Sequence, residues 1–583
     1  MPEKKGQYAR ETFKNEVAAL LKDAGVFAER LENPPKGVDA DISFPCFALA
    51  KEQKKNPMQI AKEIAEKIKI PKKSLIKKAE ASGPYINFYA DWAAIGQELL
   101  NIDNHYGQSG FGKKEKVMVE FSEPNPNKPM HIGHARNTFL GDSISRIMSA
   151  AGFNVLRVNY YNDSGIHIAK TVLGYMKWGA GKIPDKIMPS TDGKLLGTPI
   201  PKKPDRFIGE FYTKFNTAAT DNPELEKEAR ELLKKIESGD KETIALWKKV
   251  KGWCIEGFDM TYKRLGIKFD TIFFESDFEK PGRVVVQKAI EKGIAFKDIN
   301  GETVAKLKDY GMPNCIILRS DGTTLYATKD LALAAHKFEK YHVKKSIYVV
   351  GAEQEQYFQQ LFKMLELLGY ENAKNMHHVK NGLVMLPEGK MSSRKGLVVF
   401  LDDTIDELKE YVAEIIEKSH PQLAKKENAA EKVGIGALKF ALIKTSSDKT
   451  ILFNKEEVAQ FDGDTGPYVQ YTYARASSIL RSGHAGKKPD ATLLKEPDEV
   501  ALLKKISEFP EAIIKSAQSY QPHLVTVYLL ELTHLFNAFY QKVPVLKAEN
   551  EELKNARLHL VSAVRQTIGN GLELLGIDAL EEM

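Results

Sequence analysis

Hydrophobic and polar positions along the 583-residue chain change their period several times, and each change marks a unit. Apolar residues recur every three to four positions near Glu11–Ala24, and again from about Pro57 to Lys69. Between these two predicted helices lies a Pro/Gly-containing loop, 33–37, and a strand-like run, Pro84–Tyr89, closes a first unit. After a linker at 101–116, the apolar run Val117–Phe121 predicts a strand. A turn-rich segment, 122–129, follows, then a helix from about His131 to a stop at Gly152, then a strand at Val155–Tyr160. Strand, loop, helix, strand in that order predicts a parallel sheet with right-handed crossovers. The region from about 175 to 265 interrupts the alternation, with a Pro/Lys/Gly-rich excursion at 181–204 followed by charged helical patterns. It resumes with a strand at Lys268–Phe274, a helix at Gly282–Lys292, hairpin-like strands within 294–326, and a strand at Ser346–Val350. A helix at about Gln354–Leu368 and a strand-like Val379–Leu386 complete it. Beyond about Asp402 helical periodicity dominates, broken by the Gly/Lys/Pro-rich stretch 482–497. The expected fold class is α/β: a Rossmann-type parallel-sheet domain with insertions over 106–402, between an N-terminal α+β domain (1–105) and a C-terminal all-α helical bundle (403–583).

Composition narrows the class without naming a reaction. Hydrophobic residues are 43% and charged residues 28%, close to the globular average, which argues against wholesale disorder. No apolar run is long enough to cross a membrane, and no membrane partner is expected. Three widely spaced cysteines, Cys46, Cys254 and Cys315, form no CxxC pair, so a disulfide scaffold or a Cys-rich zinc site is not expected. The first residues lack a signal-peptide core and carry acids that a transit peptide would avoid, which points to the cytoplasm. The net charge of +7 is small for this length. The stretch from Lys51 to Lys78 is locally basic, with ten Lys against three Glu. It reads equally as a solvated face or as a phosphate contact.

Two segments carry candidate chemistry. The first is Pro124-Asn125-Pro126-Asn127-Lys128-Pro129-Met130-His131-Ile132-Gly133-His134, placed where a strand hands over to a helix N-terminus, a natural phosphate site. His131 and His134 share the first turn and can donate hydrogen bonds to phosphate oxygens. Gly133 lets a base or ribose approach the backbone. The plainer alternative is that the two histidines merely cap the helix or bind a metal, and for a metal a third ligand at suitable spacing is lacking. The second segment, Gly389-Lys390-Met391-Ser392-Ser393-Arg394-Lys395-Gly396, joins three cations and two hydroxyls in a glycine-bracketed loop suited to phosphoryl charge. Alone it would pass for a basic surface loop.

Together the two segments resemble the HIGH and KMSKS signatures of class I aminoacyl-tRNA synthetases. Along nearly its whole length the chain is similar to the arginyl-tRNA synthetase family. Further similarity lies in Phe47-Ala48-Leu49-Ala50-Lys51, in Ser320–Ala332, and in Asp464–Arg475 at the start of a helical anticodon-binding domain. The resemblance implies an arginine–tRNA ligase acting through arginyl-adenylate, with ATP and Mg2+ as its substrate complex and no tightly held protein metal. Its implied partners are L-arginine and arginine tRNA, and its implied state is a monomer. His131, His134, Lys390 and Lys128 would carry catalysis. Gly133, Met391, Ser392, Ser393 and Lys395 would join the two histidines around ATP. Asn125, Glu275, Tyr326, Asp330 and Gln354 would hold arginine, and Tyr468, Tyr471 and Arg475 the tRNA. A planar five-donor guanidinium suits carboxylates plus a neutral acceptor, which Glu275, Asp330 and Gln354 supply, and Tyr326 and Asp330 stand i, i+4.

The chain departs from the family pattern in two places. Ser393 stands where KMSKS has its second lysine, leaving Lys395 or Lys128 to provide that charge. His167, in Asn162-Asp163-Ser164-Gly165-Ile166-His167, stands where relatives often carry Gln. Two other readings compete: a synthetase or nucleotidyltransferase for another substrate, and an RNA-binding paralogue without ligase activity.

Overall fold

The computed structural model describes residues 8–26, 31–35, 37–184, 203–387, 389–390, 399–486 and 488–583. Among these, five parallel strands form the central sheet: β1 (Lys116–Glu120), β2 (Asn154–Tyr161), β3 (Thr271–Phe274), β4 (Lys345–Gly351) and β5 (Met376–Asn381). Their order is β5-β4-β1-β2-β3. Successive side chains enter opposite cores. Val117 and Val119 of β1, with Ile347 and Val349 of β4, pack into one hydrophobic cluster; Met118, Tyr348 and Val350 pack into the other. Burial on both faces is why these strands read as continuous apolar runs. The strand order reverses direction between β1 and β4, and a parallel sheet opens a crevice at such a point, beyond the strands' C-terminal ends.

The excursions from this alternation are now specific. Helices Pro204–Asp221, Glu224–Ser238 and Lys241–Leu265 form the charged insertion, while 185–202, most of the expected Pro/Lys/Gly-rich excursion, lies outside the described residues. Its re-entry is pinned by a buried ionic cluster. Lys203 Nζ lies 3.0 Å from Asp205 and 2.7 Å from Asp402, and Thr261 donates to Asp402. The run expected as one strand at 379–386 divides. β5 ends at Asn381, and Val384–Leu386 joins a separate small sheet with Gly389–Lys390 and Ile451–Leu452. Tyr326, expected at the end of a hairpin, instead begins the helix Tyr326–Tyr341.

The N-terminal unit holds a three-stranded antiparallel sheet, with Tyr85–Ala90 between Ile42–Pro45 and Ile76–Ser82, packed by helices Ala9–Asp23 and Pro57–Lys67. Among the described residues from Leu401 on, the regular elements are helices apart from the two-residue strand Ile451–Leu452. Cys46, Cys254 and Cys315 are all free thiols.

Candidate active site

The crevice at the strand reversal contains two adjoining cavities. One, about 450 Å3, lies over the start of the helix Ile132–Ala150; its walls include Asn125, Lys128, His131, Gly133, His134 and Gly382. The other, about 430 Å3, is lined by Glu120, Tyr160, Tyr326, Asp330, Lys337 and Tyr357, among others. Glu123, Asn162, Glu353 and Gln354 line both, so the two form one continuous cleft.

The His-bearing turn is rigidly built. His131 is the N-cap residue in extended conformation (φ −118°, ψ 171°), and its backbone N–H donates to His134 Nδ1 at 3.2 Å. The two rings stack with centroids 3.7 Å apart. Because His134 Nδ1 accepts, its proton resides on Nε2, leaving Nε2–H to donate. Burial holds the His131 pKa down at about 4, with Lys128 adding to the effect. Burial, then His131 and Lys128, hold His134 well below the ordinary imidazole range. Both rings are therefore neutral near pH 7, each with one N–H to offer.

Two turns of contacts fix this helix to the cleft's far wall. Ile132 N donates to Val399 O at 3.2 Å, and Leu401 N to Met130 O at 3.0 Å. Arg136, fully buried, donates from Nη1 to the carbonyls of Gly382 (2.8 Å) and Lys449 (2.6 Å), and from Nη2 to Ser446 O (3.2 Å). Gly382 has no room for a side chain, since a Cβ would lie 2.3 Å from Lys449 O. Arg136→Met should strip the donor from these carbonyls and from that of Leu383. We expect it to cost about 1–3 kcal/mol, read as a lowered denaturation midpoint.

In the second cavity Asp330 is the focus. Tyr160 Oη donates to its Oδ1 at 3.1 Å, and Tyr357 Oη donates to its Oδ2. Its carboxyl pKa rises to about 7, chiefly through burial, with Glu275 and Glu120 adding repulsion against the two tyrosine hydrogen bonds. Glu120 forms an ion pair with Lys337 at 2.7 Å, and the Lys337 ammonium lies 4.3 Å from the Tyr348 ring centre.

The structure thus gathers Asn125, Lys128, His131, Gly133 and His134 around one cavity and Tyr326 and Asp330 around the other, with Gln354 common to both. Glu275 stands one layer back. Its Oε2 accepts from Ser164 at 2.7 Å, its Oε1 from Lys329 at 3.1 Å, and it lines neither cavity. Met391, Ser392, Ser393, Arg394 and Lys395 fall outside the described residues. For Lys390 only the backbone is described, paired with Met385. Sequence reasoning missed Glu120, Glu123, Tyr160, Asn162, Lys337, Glu353 and Tyr357. Tyr357 had a legible signal, standing one helical turn after Gln354.

A third cluster lies on the helix Gly466–Ser482. The Arg475 guanidinium stands 4.8 Å from the Tyr471 ring centre and 5.2 Å from that of the half-exposed Tyr540. It donates to Asn537 Oδ1, and Asn537 Nδ2 donates to Tyr468 Oη at 2.9 Å. Tyr540 and Asn537 were not anticipated. Among the described residues, no group of three or more His, Cys, Asp or Glu is placed to hold a metal, and no helix is long and apolar enough to cross a membrane.

Comparison with known proteins completes the picture. The family model described as tRNA synthetases class I (R), catalytic domain, matches residues 96–454. The DALR anticodon binding domain matches 469–583, and the arginyl tRNA synthetase N terminal domain matches 7–90. An arginine–tRNA ligase of Clostridium perfringens is 40% identical, over 95% of this chain and 96% of its own length. One of Clostridium botulinum (strain Loch Maree) is 39% identical, over 98% and 100%. The arginyl-tRNA synthetase structure from Thermus thermophilus superposes with a TM-score of 0.83 at 30% identity, covering 98% of this chain and 100% of that one. The one from Plasmodium falciparum, at 20% identity and a TM-score of 0.78, over 98% and 99%, supports the fold alone. With these matches in sequential order along a chain whose cleft lies at the sheet's reversal point, the protein belongs to the class I arginyl-tRNA synthetase family.

Proposed function

We propose that the cleft ligates arginine to its tRNA in two steps, and that the observation carrying this is the continuity of the two cavities through Glu123, Asn162, Glu353 and Gln354. The acid-lined cavity receives arginine. Its guanidinium faces Asp330, Tyr326 and Gln354, with Asn125 near the α-amino and carboxylate groups and Glu275 acting from behind through Lys329 and Ser164. The His-lined cavity receives Mg-ATP. The arginine carboxylate attacks the α-phosphorus in line; one P–O bond forms and the bond to pyrophosphate breaks. His131, His134, Lys128 and Lys390 offset charge on the phosphates, aided by the positive end of the Ile132–Ala150 helix. Met391, Ser392, Ser393 and Lys395 complete the set of ATP contacts that the family resemblance implies. A ribose hydroxyl of the tRNA's terminal adenosine then displaces AMP from the adenylate.

No protein nucleophile enters this scheme, and positioning supplies most of the rate. In the C-terminal bundle, Tyr468 and Tyr471 stack on unpaired anticodon-loop bases and Arg475 holds the backbone, with stacking worth about 1–3 kcal/mol per base. The working division is 1–105 for a tRNA-facing unit, 106–402 for catalysis and 403–583 for the anticodon reader, in a cytoplasmic monomer. ATP–pyrophosphate exchange, run with each amino acid and with or without tRNA, tests the whole reading. Arginine-dependent exchange that requires tRNA is expected. Exchange driven by another amino acid, or none with arginine and tRNA together, overturns it.

A further inference from the structure

Along the helix Tyr326–Tyr341 four residues line the acid-lined cavity: Tyr326, Asp330, Leu333 and Lys337, spaced i, i+4, i+7 and i+11. The stripe covers about 16 Å of helix axis. It runs from a mouth to a floor, since Tyr326 is 59% exposed whereas Leu333 and Lys337 are buried. Asp330 stands between them, and the apolar side chains of Leu333, Phe358 and Leu361 continue the wall. The cavity therefore extends past the carboxylate assigned to the guanidinium.

A second carboxylate waits at the far end. Glu120, buried at the last position of β1, lines this cavity and not the His-lined one. Lys337 Nζ sits 2.7 Å from its Oε2 and donates to Tyr348 Oη at 3.3 Å. Burial works against the Lys337 ammonium, but Glu120 and Tyr348 outweigh it and hold the pKa above the ordinary lysine value. Helical side chains lean toward the helix N-terminus, so this ammonium reaches back toward the level of Leu333. Glu120 in turn is close enough to Asp330 to repel it. The two carboxylates differ in one respect. Asp330 is met by neutral hydroxyls, from Tyr160 and Tyr357, and remains open to a ligand's cation, whereas Glu120 already holds one. Glu123 and Glu353, which also line the cavity, stand at its junction with the His-lined one. A pocket discriminates by what it withholds as well as by what it offers. With Glu120 free, a guanidinium on a longer side chain would find an acceptor beyond Asp330.

We propose that Lys337 sets the side-chain length this cavity accepts: by occupying Glu120 it stops the guanidinium at Asp330 and turns longer cations away. This rests on the assignment of the cavity to arginine made above, and it adds a specificity-determining residue to it. Calorimetry on the full chain compares arginine with homoarginine, which carries one more methylene. The wild type should prefer arginine by about 10–200-fold, the range one methylene commands in a closed pocket. Lys337→Ala frees Glu120 and should narrow that preference about 10-fold. Lys337→Met, which keeps the packing, should move it the same way by less, and melting midpoints report whether each variant is folded. Glu120→Gln/Lys337→Ala has the same room but no free carboxylate, and should return the preference to within about 3-fold of wild type. A preference unchanged in both Lys337 variants, or narrowed equally in the double variant, would overturn the proposal. A merely structural ion pair would lower the midpoints and leave the preference alone. Asp330→Ala tests the cavity assignment separately, because it should weaken both ligands. If both are weakened and the preference ignores Lys337, only the length role fails. If both are spared, the assignment fails and the length role with it.

Discussion

Asp330→Asn should raise the arginine KM by about 10^2–10^3-fold while moving the ATP KM little, because it removes one charge from an enclosed site and keeps its shape. An arginine guanidinium facing the neutral amide loses a charge-assisted hydrogen bond and most of its local neutralisation, a loss of about 3–4 kcal/mol. The same variant should be the more stable protein when empty. An aspartyl carboxyl ordinarily titrates near 3.9, whereas burial, with Glu275 and Glu120, lifts this one to about 7. The folded state therefore holds the proton more tightly than the unfolded chain. The stability this group contributes is fully present below about pH 4 and is lost as pH rises through about 7. At 1.36 kcal/mol per unit the penalty above pH 7 is no more than about 4 kcal/mol. Melting curves at pH 5 and pH 8 read it directly: Asp330→Asn should gain more over wild type at pH 8 than at pH 5. Saturating arginine should erase that advantage by stabilising only the wild type. An equal gain at both pH values would count against a buried, titrating Asp330.

What the sequence made legible follows from how local each signal is. The strands β1 and β4 were readable because both of their faces are buried, so their apolar runs are nearly unbroken. Ile42–Pro45 and Ile76–Ser82 were not. The first has only four residues, and the second, Ile-Lys-Lys-Ala-Glu-Ala-Ser, has an exposed polar face and a register shift between Ile76 and Lys78. The cut at Asn381 was hidden as well, since an apolar run does not reveal that its halves pair with different sheets. Within the cleft, Tyr326, Asp330 and Gln354 come from segments that match a family pattern. Tyr160 and Lys337 reach Asp330 and Glu120 only through the sheet order, which no single segment encodes. Glu123 was passed over as one polar residue in a turn. Its place at the junction of the two cavities follows a positive-φ turn, which cannot be read from letters.

His134→Ala should lower the rate of adenylate formation by about 10^2–10^3-fold, the scale seen when one preorganised donor to a developing anion is removed. The argument runs through the tautomer. His131 N–H donates to His134 Nδ1, so Nε2 carries the proton and the ring is fixed by its stacked neighbour at 3.7 Å. His134→Gln places an amide N–H near the same point and should recover part of the loss, which a merely structural histidine would not show. The low imidazole pKa values add a check on mechanism. With His131 at about 4 and His134 well below its usual range, neither becomes cationic above pH 6 in the free protein. The ratio kcat/KM for ATP, taken at saturating arginine and corrected for ATP's own ionisation, should therefore be flat from pH 6 to 8 in this respect. A rise toward pH 6 that vanishes in His134→Gln would mean an imidazolium does the work. Less of the phosphate charge would then rest with Lys128 and Lys390 than the buried, neutral pair of rings implies.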